Sequence, residues 1–268
     1  MNTTRTIPRG LGQIVERLEL DRPQVITLNE LKAIVQEAGI GTSPRLVAQR
    51  LRERGWLLST GLRGVWEFAP ASHAGAHSRG GPLLPAIAAF ALDPQLRAVV
   101  ARGSAAWLHG LADRAPRRLE LAAVPGERVP AGLERRAKIV IFSARLEPVW
   151  KRGLPIQQFE TLLVHLAARP SQVSSWGAVA EWLGDVVAGA DEAKILSELS
   201  DRPRAVWARL AYLISGLWPE LAERLGADVT TKVWFGPRRK LRRHSQKWQI
   251  ADSILPFDPR TLPRVRSS

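Results

Sequence analysis

Arg45, Gln49 and Arg52 fall at i, i+4 and i+7 of a stretch whose apolar residues Val47 and Leu51 lie four apart. On a helix this spacing puts the three polar side chains on one face and the two apolar ones on the other. Arginine can hold guanine O6 and N7 in a bidentate contact, and glutamine can hold adenine N6 and N7 in the same way. An outward face of this composition can therefore read base edges in a major groove. Ser43 stands just before the helix and, with the helix N-terminus, can hold a phosphate. Arg63 lies further on in a Gly61-Leu62-Arg63-Gly64 loop, where it can reach a phosphate or the minor groove. The competing reading of the same residues is a solvated polar face on a helix that packs against a partner protein.

A second group sits far along the chain. Arg238, Arg239, Lys240, Arg242 and Arg243 are too dense to form core. They either contact phosphates or stand in solvent, and phosphate contact is the reading taken. Trp234, Phe235 and Trp248 flank the run. Interleaved aromatics can stack bases, but tryptophan on a pair of strands is more often core.

A third group resembles a nucleotidyltransferase pattern. In that pattern Gly-Ser holds a triphosphate and two carboxylates on a following strand bind two metal ions. Here Gly103-Ser104 is present, but the strand reads Arg118-Leu119-Glu120-Leu121, so the first carboxylate position carries a cation. One carboxylate beside an arginine does not make a two-metal site, and any core shared with that fold would be degenerate. Ser104, His109 and Asp113 lack the Gly-x-Ser-x-Gly elbow of a triad enzyme. His73 and His77 are four apart in a Gly- and Ser-rich stretch that is not expected to be helical, and two histidines alone do not hold a metal. There is no phosphate-binding P-loop, no dinucleotide glycine motif and no His-Glu-x-x-His. The expectation is a protein without catalytic residues, metal or cofactor.

The elements that must position these residues follow from local signals. Thr27 with Glu30 forms a capping box that starts a helix through Leu31, Ile34 and Val35. Gly39-Ile40-Gly41 ends it. Ser43 caps the next helix, with Pro44 at its first position. Trp56-Leu57-Leu58-Ser59 and Val65-Trp66-Glu67-Phe68 read as a hairpin. Leu11, Ile14, Val15 and Leu18 predict an earlier helix, and Val25-Ile26 a short strand pairing with the hairpin. Helix, tight turn, helix and hairpin is the order of a winged helix-turn-helix.

Beyond residue 83, strand-like runs at 119–124 and 138–142 are followed by helices from Phe159 onward. Thr230–Phe235 and Trp248–Ile250 predict a closing pair of strands around the basic run. The expected fold class is α/β (α+β). A winged helix-turn-helix over 1–70 leads through a linker, 71–83, to a larger mixed domain over 84–268. That domain carries a basic segment at 232–247, and a degenerate nucleotidyltransferase-like core is one option for it.

The 268 residues carry 39 Lys and Arg against 25 Asp and Glu, a net charge of +14. Residues 1–80 hold 11 basic and 7 acidic side chains, while residues 232–268 hold 10 and 2. A balance this basic favours a polyanionic partner, most often nucleic acid. Cysteine is absent, which removes disulfides and thiolate chemistry and fits a cytoplasmic chain. No apolar run of eighteen residues and no signal peptide is present, so no membrane role is expected.

The succession of motifs resembles the AbiEi-type antitoxins of bacterial type IV toxin–antitoxin systems, closest to their mycobacterial and actinobacterial branch. The residues that carry it are Arg54-Gly55-Trp56-Leu57, Gly64 to Pro70, Gly103 to Leu111, Pro155 to Pro170 and Trp234-Phe235-Gly236-Pro237. The resemblance implies a transcriptional autorepressor that binds inverted repeats of double-stranded DNA in its own promoter. It also implies an antitoxin that opposes a toxin of nucleotidyltransferase fold, with no stable complex required. By position it assigns DNA reading to Ser43, Arg45, Gln49, Arg52 and Arg63. A monomer in solution is expected. The alternatives are a transcription regulator whose C-terminal domain senses a ligand or oligomerises, and a nucleic-acid-modifying enzyme.

Overall fold

The computed structural model describes residues 7, 10–73, 81–227 and 230–265. The expected polar arm over 1–9 (apart from Ile7), the side chain of His73 and all of His77 lie outside the described residues. The chain divides into two compact units. One comprises Met1–Arg97 with Arg117–Leu119 and Gly126–Lys138, and the other Ala98–Pro116, Glu120–Pro125 and Ile139–Ser268.

The first unit begins with α1 (Gly12–Asp21), β1 (Val25–Thr27), α2 (Leu28–Glu37), α3 (Pro44–Glu53), β2 (Leu57–Ser59) and β3 (Val65–Phe68). The strands form an antiparallel sheet in the order β1-β3-β2, with Ile26 opposite Trp66 and Leu58 opposite Glu67. The element order is the one the sequence leads one to expect, and β1 pairs with the hairpin through β3. The capping box is complete: the Glu30 N–H donates to Thr27 Oγ1, and the Thr27 N–H donates to the Glu30 carboxylate at 2.7 Å. Ser43 Oγ accepts from the Leu46 N–H at the start of α3. Leu11, Ile14, Leu18, Leu31, Val47 and Leu51 meet in the core, each at most 1% exposed. Burying each stabilises the unit by roughly 1.5–3 kcal/mol.

α4 (Leu84–Leu92) belongs to this unit and packs on β1 and β3. The sequence places it instead at the start of the second domain. Leu84, Ala86, Ala88, Ala89 and Phe90 are all buried, so α4 has more than one apolar face to cover. A Gly- and Ser-rich stretch before it carries no information about which sheet covers them.

The chain continues through β4 (Ala98–Val100), α5 (Arg102–His109) and β5 (Leu119–Ala123). α6 (Ala131–Glu134) folds with the first unit. The remaining strands and helices are β6 (Ala137–Ile141), β7 (Val149–Lys151), β8 (Leu154–Ile156), α7 (Phe159–Ala168), α8 (Trp176–Gly189), α9 (Glu192–Leu199), α10 (Arg204–Ile214), α11 (Pro219–Gly226), β9 (Val233–Phe235), β10 (Arg243–Ser245) and β11 (Ile250–Asp252).

A mixed five-stranded sheet runs β6-β5-β4-β8-β7, with β4 antiparallel to β5 and parallel to β8. α7 is buried on nearly every side, from Glu160 to Ala167, as a helix apolar all round must be. The two expected closing strands do pair, β9 parallel to β11, and the end of the basic run adds β10 antiparallel to β11 as a third strand. No described helix is long and apolar enough to cross a membrane.

Candidate nucleic-acid interface

α3 presents Arg45, Gln49 and Arg52 outward, all three exposed, while Val47, Ala48 and Leu51 are buried behind them. The structure therefore brings the three predicted side chains onto one solvent face. Gln49 is held there, because its amide donates to Glu53 Oε1 at 3.0 Å. That bond orients the carboxamide and places a carboxylate next to it. Ser43 is exposed at the N-cap, where Pro44 at the next position removes one N–H that would lack a partner.

Arg63 is exposed in the turn between β2 and β3. The turn is held from inside: Thr60 Oγ1 donates to the Val65 carbonyl at 3.0 Å and accepts from the Leu62 N–H at 3.2 Å. Gly61 has φ +83° and lies directly under the Arg136 guanidinium, so a side chain there would collide with it. Gly132, in α6, lets that helix approach the turn closely, since a Cβ there would stand 2.6 Å from the Gly61 carbonyl oxygen. Arg136 is exposed. The turn between β2 and β3 therefore carries two cations, Arg63 and Arg136. Sequence reasoning finds only the first, because nothing local at Arg136 marks a partner 73 positions away.

In the second unit Arg238, Arg239, Lys240 and Arg242 are exposed in the loop between β9 and β10. Arg243 differs from its neighbours. It is half-buried, its Nη1 is 3.2 Å from Asp252 Oδ2 and it donates to the Leu255 carbonyl at 2.9 Å. This corrects the reading of all five as phosphate contacts or solvated charges. Asp252 is fully buried, and a buried carboxylate requires a counter-charge. Asp252 Oδ1 accepts the N–H groups of Ile254 and Leu255. Burial, with Asp252 next, pushes the Tyr212 hydroxyl pKa well above its ordinary value, so Tyr212 stays a neutral donor 3.4 Å from Oδ2. Phe235 on β9 is buried core, as expected of an aromatic on a strand; Trp248 is also buried but lies in the turn before β11, and Trp234 is half-buried.

The Gly103-Ser104 segment opens α5 after β4, and Glu120 lies on β5, as the nucleotidyltransferase comparison requires. The chemistry there is structural. Arg102 is 1% exposed, and its Nη2 lies 3.3 Å from Glu120 Oε1. Its Nη1 donates to the Gln172 carbonyl at 2.6 Å. A guanidinium thus stands against the one carboxylate. Burial lowers the Arg102 pKa from its ordinary value, and Glu120 offsets part of that. Ser104 Oγ accepts the Glu120 N–H at 2.8 Å, and Ser174 donates to Glu120 Oε1.

Arg118, at the other carboxylate position, donates to the carbonyls of Glu134, Arg135 and Ala137, where α6 ends. His109 bonds the Gln157 carbonyl at 2.8 Å and meets Lys151 at 3.2 Å. Ser104 and His109 thus have separate partners. Among the described residues no three His, Asp or Glu side chains converge on a possible metal position.

Residues 98–216 match the family model of the AbiEi antitoxin C-terminal domain. The crystal structure of the RV2827C protein from Mycobacterium tuberculosis is similar to nearly the whole chain. Its TM-score is 0.81 and its identity 30%, covering 95% of this chain and 94% of that one. A search among curated proteins returns no match. With the mixed architecture and the matched C-terminal domain both in place, the chain belongs to the AbiEi antitoxin family.

Proposed function

We propose that this antitoxin is also a DNA-binding repressor of its own promoter. In this reading α3 enters the major groove with Arg45, Gln49 and Arg52, Ser43 and the α3 N-terminus take a phosphate, and Arg63 with Arg136 flanks the groove from the wing. Arg238, Arg239, Lys240 and Arg242 add contacts to phosphates that carry no sequence information. Arg243 steadies that loop from within. The first unit is the winged helix-turn-helix, and the functional partner is a toxin of nucleotidyltransferase fold that need not form a stable complex. The degenerate centre at Glu120 performs no transfer. The chain works in the cytoplasm and is a monomer off DNA.

The single observation that carries this reading is the outward triad on α3. It is exposed, presents two arginines and an oriented amide, and lies beside a capped helix N-terminus. A mobility-shift assay on the DNA upstream of the gene tests it. The wild-type chain retards that fragment in preference to a scrambled one, and retardation falls steeply as salt rises. The Arg45→Ala/Gln49→Ala/Arg52→Ala variant loses the preference and keeps the salt-sensitive background. Equal preference by the variant overturns the assignment of α3. The antitoxin half is tested separately, by co-expression with a neighbouring nucleotidyltransferase-like reading frame: growth that is not restored overturns that half alone.

A further inference from the structure

The second unit contains a cavity of about 420 Å³ between the start of α8 and the loop from β9 to β10. Pro170, Ser171, Ser174 and Gly177 line it from around the start of α8, and Arg239 and Arg242 line it from the loop between β9 and β10. None of its lining residues is acidic. Arg239 is exposed and makes no hydrogen bond or ion pair among the described residues. Arg242 is fixed by a 3.4 Å bond from its Nη1 to the Leu255 carbonyl. Ser174 joins the cavity to the buried pair behind it, because its hydroxyl donates to Glu120, which faces Arg102.

We propose that this cavity binds the phosphate of a nucleotide-sized ligand. Two guanidinium groups facing a concave site without a carboxylate select an anion, and guanidinium forks match phosphate oxygens. The backbone N–H groups of Trp176 and Gly177, in the first turn of α8, have no intrahelical acceptor and add donors to the lining. Ser171 and Ser174 add hydroxyls to the lining, and Val173, Trp176 and Ile254 add apolar faces. Convergent polar groups beside these apolar faces, at this volume, suit a ligand larger than inorganic phosphate. The phosphate can come from a free nucleotide or from a nucleic-acid strand, and both present the same oxygens. The inference shares Arg239 and Arg242 with the DNA reading but does not depend on it, since it is tested without promoter DNA.

The experiment is calorimetric titration of the full chain with inorganic pyrophosphate and with ADP, in magnesium-free buffer. The expected result is one saturable site. Arg239→Gln weakens it by about tenfold or more, equivalent to the loss of one charge-assisted contact. Arg114→Gln removes the same charge at an exposed position of the same unit that does not line the cavity, and changes affinity by less than about twofold. Gly177→Glu is the second variant. A Cβ there meets only Ser175 Oγ, at 3.8 Å, and a glutamate in the first turn suits the helix, so the fold is kept while the anion is repelled.

Displacement of ADP by duplex DNA assigns the phosphate to a strand. Retention of ADP in the presence of duplex assigns it to a free nucleotide. Either outcome supports the site. Absence of saturable binding by both probes overturns it, as does equal weakening by Arg114→Gln and Arg239→Gln.

Discussion

Replacing Arg102 with methionine tests whether an internal cation, rather than simple packing, holds the start of α5 against β5. Methionine keeps the apolar stem and removes the guanidinium. Two interactions are lost: the 2.6 Å bond to the Gln172 carbonyl and the pairing with Glu120 across 3.3 Å. Removing one partner of a buried pair costs about 3–5 kcal/mol. The side chains here are 1% and 10% exposed, and the pair distance is long for a hydrogen bond, so the lower end applies, about 3 kcal/mol. At roughly 2–4 °C per kcal/mol for a unit of this size, Tm falls by about 6–12 °C.

Arg102 also sits at φ +49°, a left-handed conformation that costs a non-glycine residue about 1–2 kcal/mol. Methionine retains that cost, so the loss in Tm is not masked. The assay is scanning calorimetry and denaturant titration of Arg102→Met, Glu120→Gln and the double variant. The double variant is expected to be more stable than the sum of the single losses allows, by about 1–2 kcal/mol, because neither charge is then stranded. Strict additivity, or a loss below about 1 kcal/mol for Arg102→Met, refutes the pairing as the cause.

Two further predictions concern the second unit. His165 is fully buried with Nδ1 bonded to the Gln157 amide, and burial, with Arg102, Arg202 and Arg169 next, holds its pKa well below the ordinary value. The folded state therefore keeps it neutral while the unfolded chain takes up a proton near pH 6.5. Stability is fully present above that pH and falls below it by at most about 1.4 kcal/mol per pH unit. Burial pulls His109 in the same direction, so a His165→Gln variant should show a shallower, non-zero slope between pH 6.5 and 5 in thermal scans.

The fully buried Glu198 carboxylate accepts the N–H groups of Arg145 and Leu146 and the Thr161 hydroxyl, and pairs with Arg202. Glu198→Ala is expected to cost about 3–5 kcal/mol in urea unfolding. A loss under about 1 kcal/mol would show that these groups find other partners.

Much of the local architecture is legible in the sequence because its causes are local. Thr27 and Glu30 are three residues apart and satisfy each other, Ser43 and Pro44 are adjacent, and Val47 and Leu51 mark the buried face that leaves Arg45, Gln49 and Arg52 outside. The missing information concerns pairings between distant side chains. Arg243 belongs to a dense basic run and reads as surface until Asp252 is seen buried beneath it. Arg102 lies 18 positions before Glu120, and no periodicity links them. Arg118, which breaks the two-carboxylate pattern, serves as a cap for the end of α6. The docking of α4 on β1 and β3 is equally silent, since an apolar helix fits any apolar face.

The close approach of Gly132 to Gly61 has a consequence for dissecting the protein. The turn that bears Arg63 rests on residues from 126–138, a segment that the chain reaches only after β4, α5 and β5 have been laid down. The first unit is therefore discontinuous in sequence. A fragment ending at residue 70, or even at Arg97, lacks the helix under the β2–β3 turn and the Arg136 guanidinium over Gly61. During synthesis this turn also remains unsupported until the ribosome has passed residue 138. A faithful isolated first unit has to be made by splicing 117–119 and 126–138 back onto 1–97 through short bridges, not by a single cut.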